Sequence, residues 1–167
     1  MDLVARIKHR GFFDFQDTVK TIQTFLRQRM YLAYDWPSYK YKIPSPAGAE
    51  YEIIVEGSKK VNEYVKFELH VFMRVFDMRE VEIVRDGEKI KTNEGKVHIE
   101  ISAGMDLDWQ GRFSGKGVWG KFLEWLKDVY EKHIIKYKIG DYYEDLLFGE
   151  ALDLKSELQS VLGQEVV

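Results

Sequence analysis

The chain has no cysteine. That removes disulfides, thiolate nucleophiles, iron–sulfur clusters and cysteine zinc sites. Proline is scarce, with 3 residues in 167, so long segments lack the ring that breaks helices and inner strands. Asparagine is confined to Asn62 and Asn93. Little asparagine, no cysteine and 32% charged residues is the direction thermophile proteins take. No uninterrupted apolar run approaches the ~18 residues of a membrane-spanning helix, so no membrane span is expected. No charged-then-apolar leader precedes the first strand pattern, and a cytoplasmic protein is expected. Net charge is -3, with lysine and arginine spread along the chain. Nucleic acid demands a basic face, so none is expected as a partner.

What is present is ordinary globular chemistry, with 45% hydrophobic residues and a length that argues for one domain over residues 1–167. Leu3, Ala5 and Ile7 alternate with Val4, Arg6 and Lys8, the period of a half-buried strand. Phe15, Val19, Ile22, Leu26 and Met30 then recur at helical spacing, with Asp14 placed to cap. That helix should end before Pro37. The connector "WPSYKYKIPSPAG" has room for a short edge strand at Tyr39 to Ile43. From Tyr51 the period is 2 again. Val65, Phe67, Leu69, Val71, Met73 and Val75 face one way. Lys66, Glu68, His70 and Arg74 face the other, joined by Phe72 and Phe76. Asp86-Gly87 is a hairpin signal, and Gly95 reads as a second turn. Val97, Ile99 and Ile101 form a further strand, continuing through a bulge at Gly104 towards Leu107 and Trp109. A helix follows from Gly117 to Tyr137, with Trp119, Phe122, Leu126, Val129 or Tyr130, His133 and Tyr137 as its stripe and Gly140 as its stop. Leu154, Leu158 and Leu162 mark a last amphipathic segment, within a helical extension at 139–167 packed on or beside the domain.

Segregated strands and helices mean α+β. The expected architecture is a curved antiparallel sheet of about six strands on a long carboxy-terminal helix. An N-terminal β–α unit and an extra C-terminal helix complete it. The helix at Gly117 to Tyr137 would cover the face of Phe67, Leu69, Val71, Ile83, Ile99 and Ile101. This order over residues 3–138 resembles the helix-grip fold of the START/Bet v 1-like superfamily. The resemblance implies a cavity between sheet and carboxy-terminal helix. It rests on element order, with no motif, and two departures stand out: one longer helix follows the first strand where the family has two short ones, and the segment after Gly140 is extra.

Several chemistries can be weighed. Gly115, Gly117 and Gly120 in "SGKGVWG" have the G-x-G-x-x-G spacing of a dinucleotide cradle. The strand that should end at the first glycine ends too early, and too few residues follow for the remaining βαβ unit. The segment reads better as a glycine-permissive hinge into a helix, with Ser114 as its cap. Asp106 and Asp108 in "MDLDW" would share one side of a strand and could hold Mg²⁺, but a solvated strand end is the favoured reading. His70 beside Glu68 and His98 beside Glu100 could meet on one sheet face around a metal. Two hairpin strands are expected between them, and an exposed polar face is the simpler reading. His133 reads as a core residue. No G-x-S-x-G elbow is present. No cofactor, metal site or catalytic residue is assigned.

The aromatic cluster Tyr34, Trp36, Tyr39 and Tyr41 needs cover. The functional expectation is a non-enzymatic module binding an apolar small molecule or lipid beneath the long helix. Its lining would be Trp36, Tyr39, Phe67, Leu69, Val71, Met73, Ile99, Trp109, Trp119, Phe122 and Leu126. The alternative is an interaction or assembly module with a filled core. It would meet a protein partner or a second copy through Phe72/Phe76 or the Leu154/Leu158/Leu162 stripe. A third reading is a cavity enzyme of cyclase or hydrolase type.

Overall fold

The computed structural model describes residues 1–33, 38–45, 48–85, 87–110, 118–130 and 140–163. The fold is α+β. In chain order come β1 (Asp2–Phe13), α1 (Phe15–Gln28), β2 (Leu32–Ala33), β3 (Ser38–Ser45) and β4 (Gly48–Lys60). Then follow β5 (Val65–Arg85), β6 (Glu88–Leu107), α2 (Val118–Tyr130) and α3 (Gly140–Val161). Every strand pairing is antiparallel.

The body of the sheet is four long strands in the order β1-β6-β5-β4, with β2 and β3 both pairing along the far side of β4. About six strands were expected in that body. The difference lies in the hairpin. The segments around Asp86-Gly87 do not make separate strands but extend β5 to 21 residues and β6 to 20. Gly95 is not a turn either. It pairs with Gly11 inside the sheet, opposite a bulge in β5 between Phe76 and Arg79. There Asp77 takes a φ of 56°. A Cβ on Gly95 would meet the Phe76 carbonyl oxygen at 2.9 Å, and one on Gly48 would meet the Asp77 carbonyl carbon at 2.6 Å. The bulge thus needs a glycine on each neighbouring strand. The bulge expected at Gly104 is absent: β6 keeps its register there, pairing Glu68 with Gly104 and Phe67 with Met105.

Alternation along β5 becomes burial of one face. Ile7, Ile99, Met73 and Ile53 lie in one row across four strands, and Ala5, Ile101, Val71 and Val55 in the next. All eight are buried. Two helices cover this face. Helix α1 supplies Val19, Ile22, Phe25 and Leu26, and its cap forms as expected, with Asp14 accepting from the Asp17 N–H at 2.8 Å. Met30 does not join the stripe: it lies beyond the helix with φ 62° and is exposed. The other cover is α3, through Leu147, Ala151, Leu154 and Leu158, with Leu162 just past its end.

The expected cover, a helix at Gly117 to Tyr137, is corrected here. Helix α2 is described over Val118–Tyr130, with residues 131–139 outside the described ones, and it is α3, read as an extra segment, that packs against α1, β1 and β6. Gly140, read as a stop, is the first described residue of α3. Ile83 is not under a helix: it pairs with Ile90 in the hairpin arm and is half-buried.

Candidate functional site

The sheet-face residues proposed to line a cavity lie in the buried apolar cluster. Phe67, Leu69, Val71, Met73 and Ile99 are fully buried in one cluster with the apolar sides of α1 and α3. Of the remaining members that are described, Phe122, Leu126 and Trp109 do not belong to that cluster. Trp36 lies outside the described residues, as do Gly115, Gly117, Ser114 and His133, and nothing is described of the side chains of Tyr39 and Trp119. Phe122 and Leu126 are exposed on α2. Trp109 stands past the end of β6, its indole N–H donating to the Asn62 carbonyl oxygen at 3.0 Å. Three clefts of about 360, 410 and 180 Å³ lie elsewhere. They sit over the solvent side of α1 and α3, at the start of α1, and on the outer sheet face, with polar side chains prominent in each.

Two polar clusters are built into the body. In the first, Glu150 of α3 is 6% exposed. It accepts from the Tyr31 hydroxyl at 2.6 Å and from Lys59 Nζ at 2.7 Å. The lysine also lies 5.3 Å from the centre of the Tyr31 ring, a cation–π distance. Burial, reinforced by the hydrogen bond to Glu150 and that carboxylate's charge, holds the Tyr31 phenol well above its ordinary value. A buried carboxylate with two donors is satisfied, and here it bolts α3 to β4 and to the chain leaving α1. Sequence reasoning missed it because Tyr31, Lys59 and Glu150 are far apart in the chain. The available signal was one glutamate on the apolar stripe of Leu147, Ala151 and Leu154.

The second cluster anchors the end of β6. Asn62 Oδ1 accepts from the Tyr64 and Val65 N–H groups at 2.8 and 2.7 Å, closing the β4–β5 turn. Lys60 Nζ lies 4.4 Å from the Trp109 ring centre. Asp108 has φ 58° and is buried, its N–H donating to the Tyr64 carbonyl oxygen at 2.8 Å. The reading of Asp106 and Asp108 as a pair on a solvated strand is therefore corrected. The strand ends at Leu107, so the alternation stops between them. Lys127 of α2 reaches to 3.9 Å from the Asp108 carboxylate.

Helix α2 is where apolar surface faces water. At ~100° per residue, Phe122, Leu123, Trp125, Leu126 and Val129 fill one unbroken arc. Lys127, half-buried, meets the body at Asp108, while Gly120 is buried and Leu123, at the edge of the arc, is half-buried. The middle of the arc points away, with Phe122 49% and Trp125 58% exposed, and Leu126 and Val129 exposed beside them. The Phe122 and Trp125 rings lie 5.9 Å apart.

The outer sheet face is different in kind. Strands β5 and β6 are direct neighbours, contrary to the two intervening strands expected between His70 and His98. Even so, His70 stands opposite Ser102 and His98 opposite Arg74, about 13 Å apart along the strand. No cluster of three metal-ligating side chains exists among the described residues. Arg74 pairs with Glu52 and lies 5.6 Å from the ring centres of both Phe72 and Phe76. These two phenylalanines are half-buried beneath it. The Leu154/Leu158/Leu162 stripe is in the core and offers no docking surface.

The described residues thus form an α+β protein whose covered sheet face is one buried apolar cluster. Among the described residues no helix is long and apolar enough to cross a membrane. No protein-family model, curated protein or solved structure matches it.

Proposed function

We propose that this protein is a non-enzymatic interaction module, a packed α+β body that presents α2 to a partner surface. One observation carries the reading: the apolar arc of α2 faces outward while the face read as a ligand cavity is closed by α1 and α3. Exposed aromatic clusters on a rigid carrier mark interaction sites. An apolar small molecule under the helices would require Phe67, Met73 and Leu154 to part, and no observation favours that. We also propose the helix-grip resemblance as a relationship of fold, with α3 as the gripping helix. Pairing of the first long strand with the last supports it.

The test is a photoreactive phenylalanine analogue at Trp125 in the protein expressed in cells, with the same probe at Leu152 as control. Leu152 is an exposed apolar position on α3. Adducts at Trp125 in clear excess over Leu152 are expected. Equal labelling at both positions, or none at Trp125, overturns the reading.

A further inference from the structure

We infer that the cleft at the base of the β5–β6 hairpin binds a small zwitterion, a free amino acid with an apolar side chain. This site is separate from α2 and goes beyond the interaction reading. The cleft holds about 410 Å³, within the range of small-molecule sites. Its floor is the hairpin base, with Met78, Glu80, Lys91 and Asn93, and its wall is the start of α1, with Asp14 and Phe15.

The backbone is bent to make this floor. Along β5 the odd-numbered residues from Val65 to Val75 face the core. The bulge before Arg79 shifts that phase by one residue, so Met78 and Glu80 take the side the helices cover. Without the shift Glu80 would fall on the outer face. The bulge requires left-handed backbone at Asp77 and close glycines at Gly48 and Gly95. Strained backbone of this kind gathers at ligand sites. The floor is pinned to the helix, the Phe15 N–H donating to Asn93 Oδ1 at 3.2 Å.

Charge is arranged differently on the two sheet faces. On the outer face Arg6, Arg74 and Lys96 each meet an acid. In the cleft Glu80 and Lys91 are exposed and belong to no ion pair among the described residues. They are diagonal neighbours on adjacent strands, a separation of about 7–8 Å at the backbone that leaves room for a group between them. Asp14 adds a second carboxylate, one oxygen of which accepts from the Asp17 N–H. The Phe15 and Tyr51 rings, 5.2 Å apart, form an apolar side together with Met78.

An ammonium group suits Glu80 and Asp14, a carboxylate suits Lys91, and an apolar side chain suits the rings. A simple anion would face two carboxylates, and a simple amine would face Lys91. A metal ion lacks ligands, since no cluster of three exists among the described residues.

The experiment titrates the full chain with phenylalanine, phenethylamine and 3-phenylpropionate, followed by backbone amide shifts. Phenylalanine should bind with a Kd of about 1 mM or tighter, shifting Phe15, Glu80 and Asn93. Each analogue lacks one charge and should bind about fivefold more weakly or worse. Glu80→Gln should weaken phenylalanine and phenethylamine but not 3-phenylpropionate. Lys91→Gln should weaken phenylalanine and 3-phenylpropionate but not phenethylamine. All three side chains that are changed here, Glu82 among them, are exposed, so the thermal midpoint should hold. Glu82→Gln is the control: Glu82 is directly opposite Lys91 and outside the lining, and its change should leave every titration as it was. No saturation by phenylalanine up to about 10 mM overturns the inference. So does an analogue that binds as tightly as phenylalanine, or binding that neither Glu80→Gln nor Lys91→Gln weakens.

Discussion

Helices α2 and α3 both carry an apolar stripe at helical spacing, and they use it in opposite ways. Helix α3 seats Leu147, Ala151, Leu154 and Leu158 against the sheet and α1, while α2 turns Phe122, Trp125, Leu126 and Val129 to solvent. Periodicity reports that a helix has two sides. It does not report which neighbour an apolar side will find. The stripe of α3 is narrow and aliphatic, with Glu150 set in it to receive Tyr31 and Lys59. The arc of α2 is broad and aromatic, and the helix meets the body where Lys127 lies near Asp108. One helix is part of the body and the other is carried by it.

The largest break in that comparison comes from the core. Leu154→Ala or Leu158→Ala should cost about 2–5 kcal/mol, the range for emptying a fully buried leucine site. Guanidinium unfolding of either variant measures it. A loss under ~1 kcal/mol would mean that α3 is not the covering helix.

Next in size is Glu150→Ala. It strands the Tyr31 hydroxyl and the Lys59 ammonium in a largely buried place and should cost about 3 kcal/mol. Glu150→Gln keeps the shape and should cost less. The same cluster sets a pH dependence. The Tyr31 phenol titrates higher in the folded state than its unfolded value of 10.0. Its contribution is therefore complete below about pH 10 and is lost as pH rises beyond that. Stability measured from pH 8 to 11 should fall at the alkaline end, and Tyr31→Phe should flatten that fall.

Much of the fold was legible in the order and spacing of residues. The alternation of Val65 to Phe76 identified the buried face of β5, and Asp14 with Phe15 to Leu26 identified α1 and its cap. Strand fusion across Asp77 was hidden because a bulge has no residue signature of its own. Gly95 was misread because glycine serves a turn and a close approach equally well. Gly95→Ala separates the two roles: against the Phe76 carbonyl it should cost about 1–3 kcal/mol, whereas an exposed turn position would barely respond. The candidate site was the least legible part. Choosing between α2 and α3 as cover depended on contacts made across the whole chain, such as Glu150 with Lys59. Composition gave one usable hint: a helix rich in tryptophan and phenylalanine suits a boundary better than a tightly packed sheet face.

The smallest expected effect is the sharpest test of the difference between the two helices. Trp125→Ser removes a large aromatic side chain, a change that in a core would cost about 3–5 kcal/mol. On α2 it should change unfolding free energy by no more than about 0.5 kcal/mol, the range for surface substitutions. The comparison with Leu158→Ala then becomes a ratio. A larger side chain is deleted for a smaller loss, because only the leucine is surrounded. Should Trp125→Ser cost as much as the leucine change, its apolar arc is already covered within the protein, and α2 is a second covering helix with no face left for a partner.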